Sequence, residues 1–233
     1  MKTAGIIGGI GPESTIEYYR FIVEAYRNKV ADGSYPSIVI NSIDMKQMLD
    51  GIADGLLNKT ADYLSQEIDR VVAAGADFAV LASNTPHIVF DKLRQRCKVP
   101  MISIVEAACR AASGAGIRKA GLFGTRFTMQ GEFYNVVFNR AGIEVVVPSM
   151  QQQEYIHNKY MTELVNGIIL DETRAELVRI ATELKEQRGI DALVLGGTEL
   201  PLILRSAQGI GIPLIDTTKT HVTEIVQAIT AET

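Results

Sequence analysis

The chain has 233 residues, 47% of them hydrophobic and 21% charged, with a net charge of −4 from 23 basic and 27 acidic side chains. That is an ordinary globular composition, long enough for one large domain or two small lobes, and without a run of Lys or Arg it speaks against nucleic acid or an acidic membrane as a partner. The first residues run straight into an apolar strand, so neither a signal peptide nor a membrane-spanning helix is expected, and the cytoplasm is the expected location.

In chain order, residues 4–8 are an apolar strand, and Gly8-Gly9-Ile10-Gly11-Pro12 is a glycine-rich turn ahead of an amphipathic helix over 13–30. The turn fails as a dinucleotide fingerprint, because Gly9 and Gly11 are followed by Ser14 where a third glycine belongs. What remains is a close approach of backbone to whatever lies over the turn. A strand over 37–42, a loop with Asp44 and Lys46, and a helix over 59–74 come next. The apolar run Phe78-Ala79-Val80-Leu81 then delivers Ala82-Ser83-Asn84-Thr85-Pro86-His87, with an amphipathic segment over 88–93 behind it. Pro86 suits a first helical position and Thr85 can cap the amides beside it, which makes this turn either a well-capped βα junction and nothing more or a site that favours a carboxylate or phosphate. A strand over 99–104 follows.

The second half has a strand over 119–124, a hydroxyl-rich turn with Thr125 and Thr128, a helix over 129–140 and a strand over 143–147. Helices over 152–166 and 171–187, the strand ending at Gly196, a strand over 213–216 and a final helix over 218–229 complete it. That last helix is expected to pack back on the first lobe. Strands separated by helix-length segments imply parallel βαβ units.

The two halves echo each other. Gly75-Ala-Asp-Phe-Ala-Val-Leu-Ala-Ser-Asn-Thr-Pro86 is matched by Gly189-Ile-Asp-Ala-Leu-Val-Leu-Gly-Gly-Thr-Glu-Leu200. Residues 4–9 match 120–125, and 99–102 match 212–215, in the same order and at nearly the same spacing. Three matched strands point to an internal duplication. The expected fold is therefore α/β, two pseudo-symmetric lobes that each hold a parallel sheet flanked by helices, with an active-site cleft between them. Residues 1–98 with 214–233 form the first lobe and 99–213 the second. Position 83 corresponds to 197, and 8 to 124.

Cys97 and Cys109 lie outside any Cys-x-x-Cys pattern and predict no disulfide, and His87, His157 and His221 lack metal-ligand spacing.

Gly-Gly-Ile-Gly-Pro-Glu-Ser-Thr at 8–15, Ser-Asn-Thr-Pro-His at 83–87 and Gly-Gly-Thr-Glu-Leu at 196–200 resemble the aspartate/glutamate racemase family along essentially the whole chain. The resemblance implies a cofactor-independent isomerase that removes a proton from the α-carbon of a small amino or dicarboxylic acid and returns one to the opposite face. It also implies a homodimer. Most members carry one cysteine on each turn, since a thiol titrating near pH ~8.5 serves as base and as acid. Here the first of those positions is Ser83 and the second is Gly197, which has no side chain to exchange a proton.

By the same resemblance, Asn84, Thr85 and Thr198 contact substrate, Thr125 and Thr128 supply a third polar turn, and Gly9 and Ile10 line the floor. His87 and Glu199 are the candidate substitutes for the missing thiols, with Lys46 and Arg126 as candidates for a distal carboxylate. Alternative roles are open for these side chains: a packed structural histidine, an acid that caps its own turn, solvated surface charges.

Three functions fit. One is a racemase slowed by the loss of both thiols, which cysteines at 83 and 197 together should accelerate. The others are a related enzyme of different chemistry, an isomerase, lyase or hydrolase acting on a small carboxylic acid, and a catalytically silent carboxylate-binding protein.

Overall fold

Two four-stranded parallel sheets organise the protein, whose computed structural model describes residues 1–204 and 209–231. The first sheet contains β1 (Ala4–Gly8), β2 (Ile38–Ser42), β3 (Phe78–Leu81) and β4 (Met101–Ile102), in the order β2-β1-β3-β4. The second contains β5 (Lys119–Gly124), β6 (Glu144–Val146), β7 (Ala192–Gly196) and β8 (Leu214–Asp216), in the order β6-β5-β7-β8. Strand for strand the order is the same, so the duplicated sequence segments occupy the same place in each sheet. β1, β3 and β7 are buried along their whole length, which is why they read as continuous apolar runs and do not alternate.

The chain divides into one unit of Met1–Ile104 with the C-terminal segment from Thr218, and a second of Val105–Thr217. Sheet pairing explains these limits. Met101 and Ile102 hydrogen-bond along β3, which keeps them in the first unit, and Leu214–Asp216 pair with β7, which keeps them in the second. The crossings thus fall a few residues beyond 98/99 and 213/214. Residues 232–233, assigned with the first lobe from sequence, lie outside the described residues.

In the first unit, helix Pro12–Lys29 contributes Tyr18, Ile22 and Tyr26 to the core, and helix Leu57–Ala73 contributes Leu64, Ile68 and Val71. Each such side chain removed from water is worth roughly 1.5–3 kcal/mol. Helix Thr217–Thr230 closes this unit: the Lys2 amide donates to the Ile229 carbonyl at 3.0 Å. Its buried His221 accepts from the Tyr18 hydroxyl at Nδ1, 2.8 Å away, and donates from Nε2 to the Ile102 carbonyl at 3.0 Å. In the second unit, Phe123, Leu193 and Leu195 of the strands meet Leu177, Ile180 and Ala181 of helix Asp171–Arg188, and Tyr160 of helix Met150–Thr162 joins them.

Three local expectations change. The segment after Asp44 is a helix, Met45–Ala53, and not a loop; the Asp44 carboxylate caps it by accepting from the Lys46 amide at 2.8 Å. Only Met48 and Ile52 of this short helix are buried, too sparse a pattern to register as a helical period. The helix expected over 129–140 is two, Arg126–Gln130 and Glu132–Arg140, parted at Gly131. The strand over 99–104 shortens to Met101–Ile102 because a helix, Ile104–Gly114, begins directly behind it.

Candidate functional site

In the first unit two turns leave neighbouring strands. After β1, Gly9 and Gly11 have φ of +77° and +90°, the left-handed region that glycine enters without strain. A β-carbon on Gly9 would stand 2.6 Å from both the Ile43 carbonyl oxygen and Ser42 Oγ, so the turn is pressed onto the end of β2. The Gly9 amide donates to Thr15 Oγ1 at 2.9 Å, and Thr15 Oγ1 in turn donates to the Gly11 carbonyl at 3.2 Å. Ser14 Oγ donates to the same carbonyl at 2.9 Å and lies 3.4 Å from the Ala82 carbonyl, tying this turn to the one after β3. Ile10 is buried.

The turn after β3 stays in register through the Ala82 amide, which donates to the Ile7 carbonyl at 2.9 Å. Ser83, Asn84, Thr85 and His87 are all buried. The helix here opens as a 3₁₀ turn, Thr85–Val89, and continues as an α-helix over Phe90–Arg96; Asn84 stands at the cap position without using its side chain as the cap. With a 3₁₀ first turn, attraction for an anion would come from individual N–H and hydroxyl groups more than from a long aligned dipole.

His87 is committed to the backbone. Its Nδ1 lies 3.1 Å from the Ser83 carbonyl, and its Nε2 lies 3.3 Å from the amide nitrogen of Ile104. A carbonyl only accepts and an amide only donates, so Nδ1 carries the proton and Nε2 the lone pair. The ring also stacks on Phe90 with centroids 4.6 Å apart. Burial, reinforced by the nearby His221, lowers its pKa to about 3.

In the second unit, Thr125 caps helix Arg126–Gln130 by accepting from the Thr128 amide at 3.2 Å, and its hydroxyl lies 3.2 Å from that of Thr128. The Arg126 guanidinium is 3.6 Å from the Glu154 carboxylate. Lys46, in the first unit, is exposed and paired with Asp50 at 2.5 Å.

The turn after β7 holds Gly197, Thr198 and Glu199, the last two buried. The Leu200 amide closes it on the Gly197 carbonyl at 3.0 Å. A β-carbon at residue 197 would stand 2.4 Å from Cε2 of Tyr160 and 3.0 Å from both its Cζ and Oη. The Tyr160 hydroxyl donates a short hydrogen bond to Glu199 Oε2, and Thr198 Oγ1 lies 3.0 Å from that same oxygen. Burial and the adjoining Glu199 carboxylate hold the Tyr160 phenol far above its ordinary pKa. Nothing in the spacing of the sequence singles out Tyr160, because it reaches this turn from a helix well upstream. The clue available was indirect: a glycine where a side chain is wanted leaves room for one from elsewhere.

The model of the Asp/Glu/hydantoin racemase family matches residues 7–225. The chain belongs to that family. Among curated racemases, the broad specificity amino-acid racemase RacX of Bacillus subtilis is 26% identical, with 91% of each chain covered. Among solved structures, that of a candidate Asp/Glu racemase from Yersinia pestis is 32% identical with a TM-score of 0.89, covering 99% of this chain and 100% of its own. An aspartate racemase homologue from Pyrococcus horikoshii, also 32% identical, gives 0.85 at the same coverage. For this racemase family member, no three-residue group suited to hold a metal ion exists among the described residues, and no helix among them is long and apolar enough to cross a membrane.

Proposed function

We propose that this family member acts in the cytoplasm, without a cofactor, on the α-carbon proton of a small amino or dicarboxylic acid, and that its proton carriers are oxygen acids in place of thiols. The observation behind this reading is the equivalence of two turns, each considered within its own unit. Residues 83–85 follow β3 and residues 197–199 follow β7, strands that hold the same position in their sheets. Each turn offers buried hydroxyls with backbone amides close by, groups suited to a substrate carboxylate and to the charge that spreads into it when the α-proton leaves. Asn84 and Thr85 serve that role in the first unit and Thr198 in the second, with Gly9, Ile10, Thr125 and Thr128 supporting the turns beside them.

The chemistry this leaves is slow. A serine hydroxyl needs a neighbouring base to act as one. His87, the nearest in sequence, has both ring nitrogens engaged by the backbone, so we assign it to holding the turn. This observation favours, as a second reading, a protein that binds a carboxylate and racemises it scarcely at all.

Titration calorimetry with aspartate, glutamate and related diacids, followed by polarimetry on whichever binds, tests both readings. Binding with inversion far slower than an ordinary enzymatic rate is the expected result. Absence of binding to every acid would overturn the functional assignment, and fast inversion would show that a competent base exists on the first turn.

A further inference from the structure

The side chain missing at residue 197 has a substitute in the same turn. Tyr160 Oη lies 3.0 Å from the point at which a residue-197 side chain would begin, its ring fills the space beside that point, and its hydrogen is directed at the Glu199 carboxylate. We propose that Tyr160 is a catalytic residue, the proton carrier of the second turn, with Glu199 as the base behind it. Because Ser83 on the first turn has no such base behind it, His87 being engaged by the backbone, the protein exchanges the α-proton of one enantiomer with retention and inverts it only rarely. This rests on the reading that the chain acts on an α-carbon proton.

The step balances without a co-reactant. The α C–H bond breaks and its electron pair enters the carbanion, delocalised into the substrate carboxylate. The proton passes to Tyr160 Oη as the phenol's own proton moves to Glu199 Oε2. The reverse transfers restore the C–H bond on the same face, and solvent exchange at the Tyr160–Glu199 pair between the two directions replaces hydrogen with deuterium. A phenol this strongly buried, next to a carboxylate, does not release its proton to water as a separate step; the relay leaves it a phenol at both ends. Thr198, 3.0 Å from the accepting oxygen, helps fix the carboxylate in line. A proton carrier so positioned is worth roughly 10²- to 10⁴-fold in rate.

The experiment is α-proton exchange in deuterated water, followed by NMR on each enantiomer of aspartate and glutamate, with chiral chromatography of the same samples. For the unaltered protein, deuterium should enter one enantiomer at least ten times faster than configuration is lost. Tyr160→Phe keeps the ring packing and should slow exchange by about 10²-fold or more with binding retained. Glu199→Gln should do the same, and Cys97→Ser, as a control, should leave it within twofold. Exchange that survives Tyr160→Phe overturns the assignment while the family chemistry stands. A protein that binds the acids yet exchanges nothing overturns it and leaves the silent-binder reading. Exchange and inversion at equal rates refutes the one-sided mechanism.

Discussion

The ring of His87 bridges two backbone segments, donating to the Ser83 carbonyl at the head of its own turn and accepting from the Ile104 amide where the next helix begins. The histidine therefore works as a neutral brace. Protonation would turn Nε2 into a donor facing another donor, and would bury a positive charge near His221 and Arg94.

Stability should consequently fall with acid. Unfolded, the imidazole binds a proton below about pH 6.5; folded, burial delays this to about 3. The unfolded chain holds more protons throughout that window, so the contribution is complete above pH 6.5 and declines by roughly 1.4 kcal/mol per unit as pH drops toward 3. Urea unfolding at pH 7 and pH 5 measures it. His87→Gln should be less stable at pH 7 and show a shallower decline, and an unchanged slope would mean that another group is responsible.

A cysteine at residue 197 should be hard to accommodate alone. Its β-carbon would meet the Tyr160 ring at 2.4 Å, an overpacking that costs about 1–3 kcal/mol in a filled core. In a Tyr160→Leu background the same substitution should cost close to nothing. A double-mutant cycle by chemical denaturation reads the coupling directly. It follows that restoring thiols at 83 and 197 should raise α-proton exchange most once Tyr160 is trimmed.

Gly9 and Gly142 separate two penalties that glycine normally conceals. Both have positive φ, but a β-carbon on Gly142 meets nothing within 4 Å, whereas one on Gly9 presses on the Ile43 carbonyl and Ser42. Alanine at 142 should cost about 1 kcal/mol for backbone strain, and alanine at 9 at least twice that. Equal losses would show that the first turn yields without difficulty.

The two native thiols should be bystanders. Burial raises the pKa of both Cys97 and Cys109, which keeps the reactive thiolate scarce. Iodoacetamide at pH 7.5 should label them slowly, and labelled protein should bind carboxylates and exchange α-protons as before. Loss of exchange in step with labelling would return the chemistry to sulfur.

The strands were legible in the sequence because a parallel strand covered on both faces must be apolar at every position; β1, β3, β5 and β7 announce themselves as runs, and their repetition marks the two sheets as copies. The turns were legible because the residues that end those strands are glycines and short polar side chains. What escaped has a common cause. The partners of His87 are a carbonyl and an amide, groups that every residue but proline possesses, so no letter of the sequence indicates that its nitrogens are occupied. Tyr160 reaches the turn at 197 across the tertiary fold, and its helix, which buries Gln153 and Ile156 beside it, has no apolar face distinct enough to single it out. Helix Met45–Ala53 buries too little to display a period.

The first unit is built from both ends of the chain. Its core receives Tyr18 from near the beginning and His221 from near the end, joined through one ring to the carbonyl of Ile102. On a ribosome, where residues emerge in order, the second unit has its strands in hand before the first obtains its last helix. The half that is synthesised first is thus the half completed last, and during that interval the face awaiting helix Thr217–Thr230 is open to chaperones, proteases and other nascent chains.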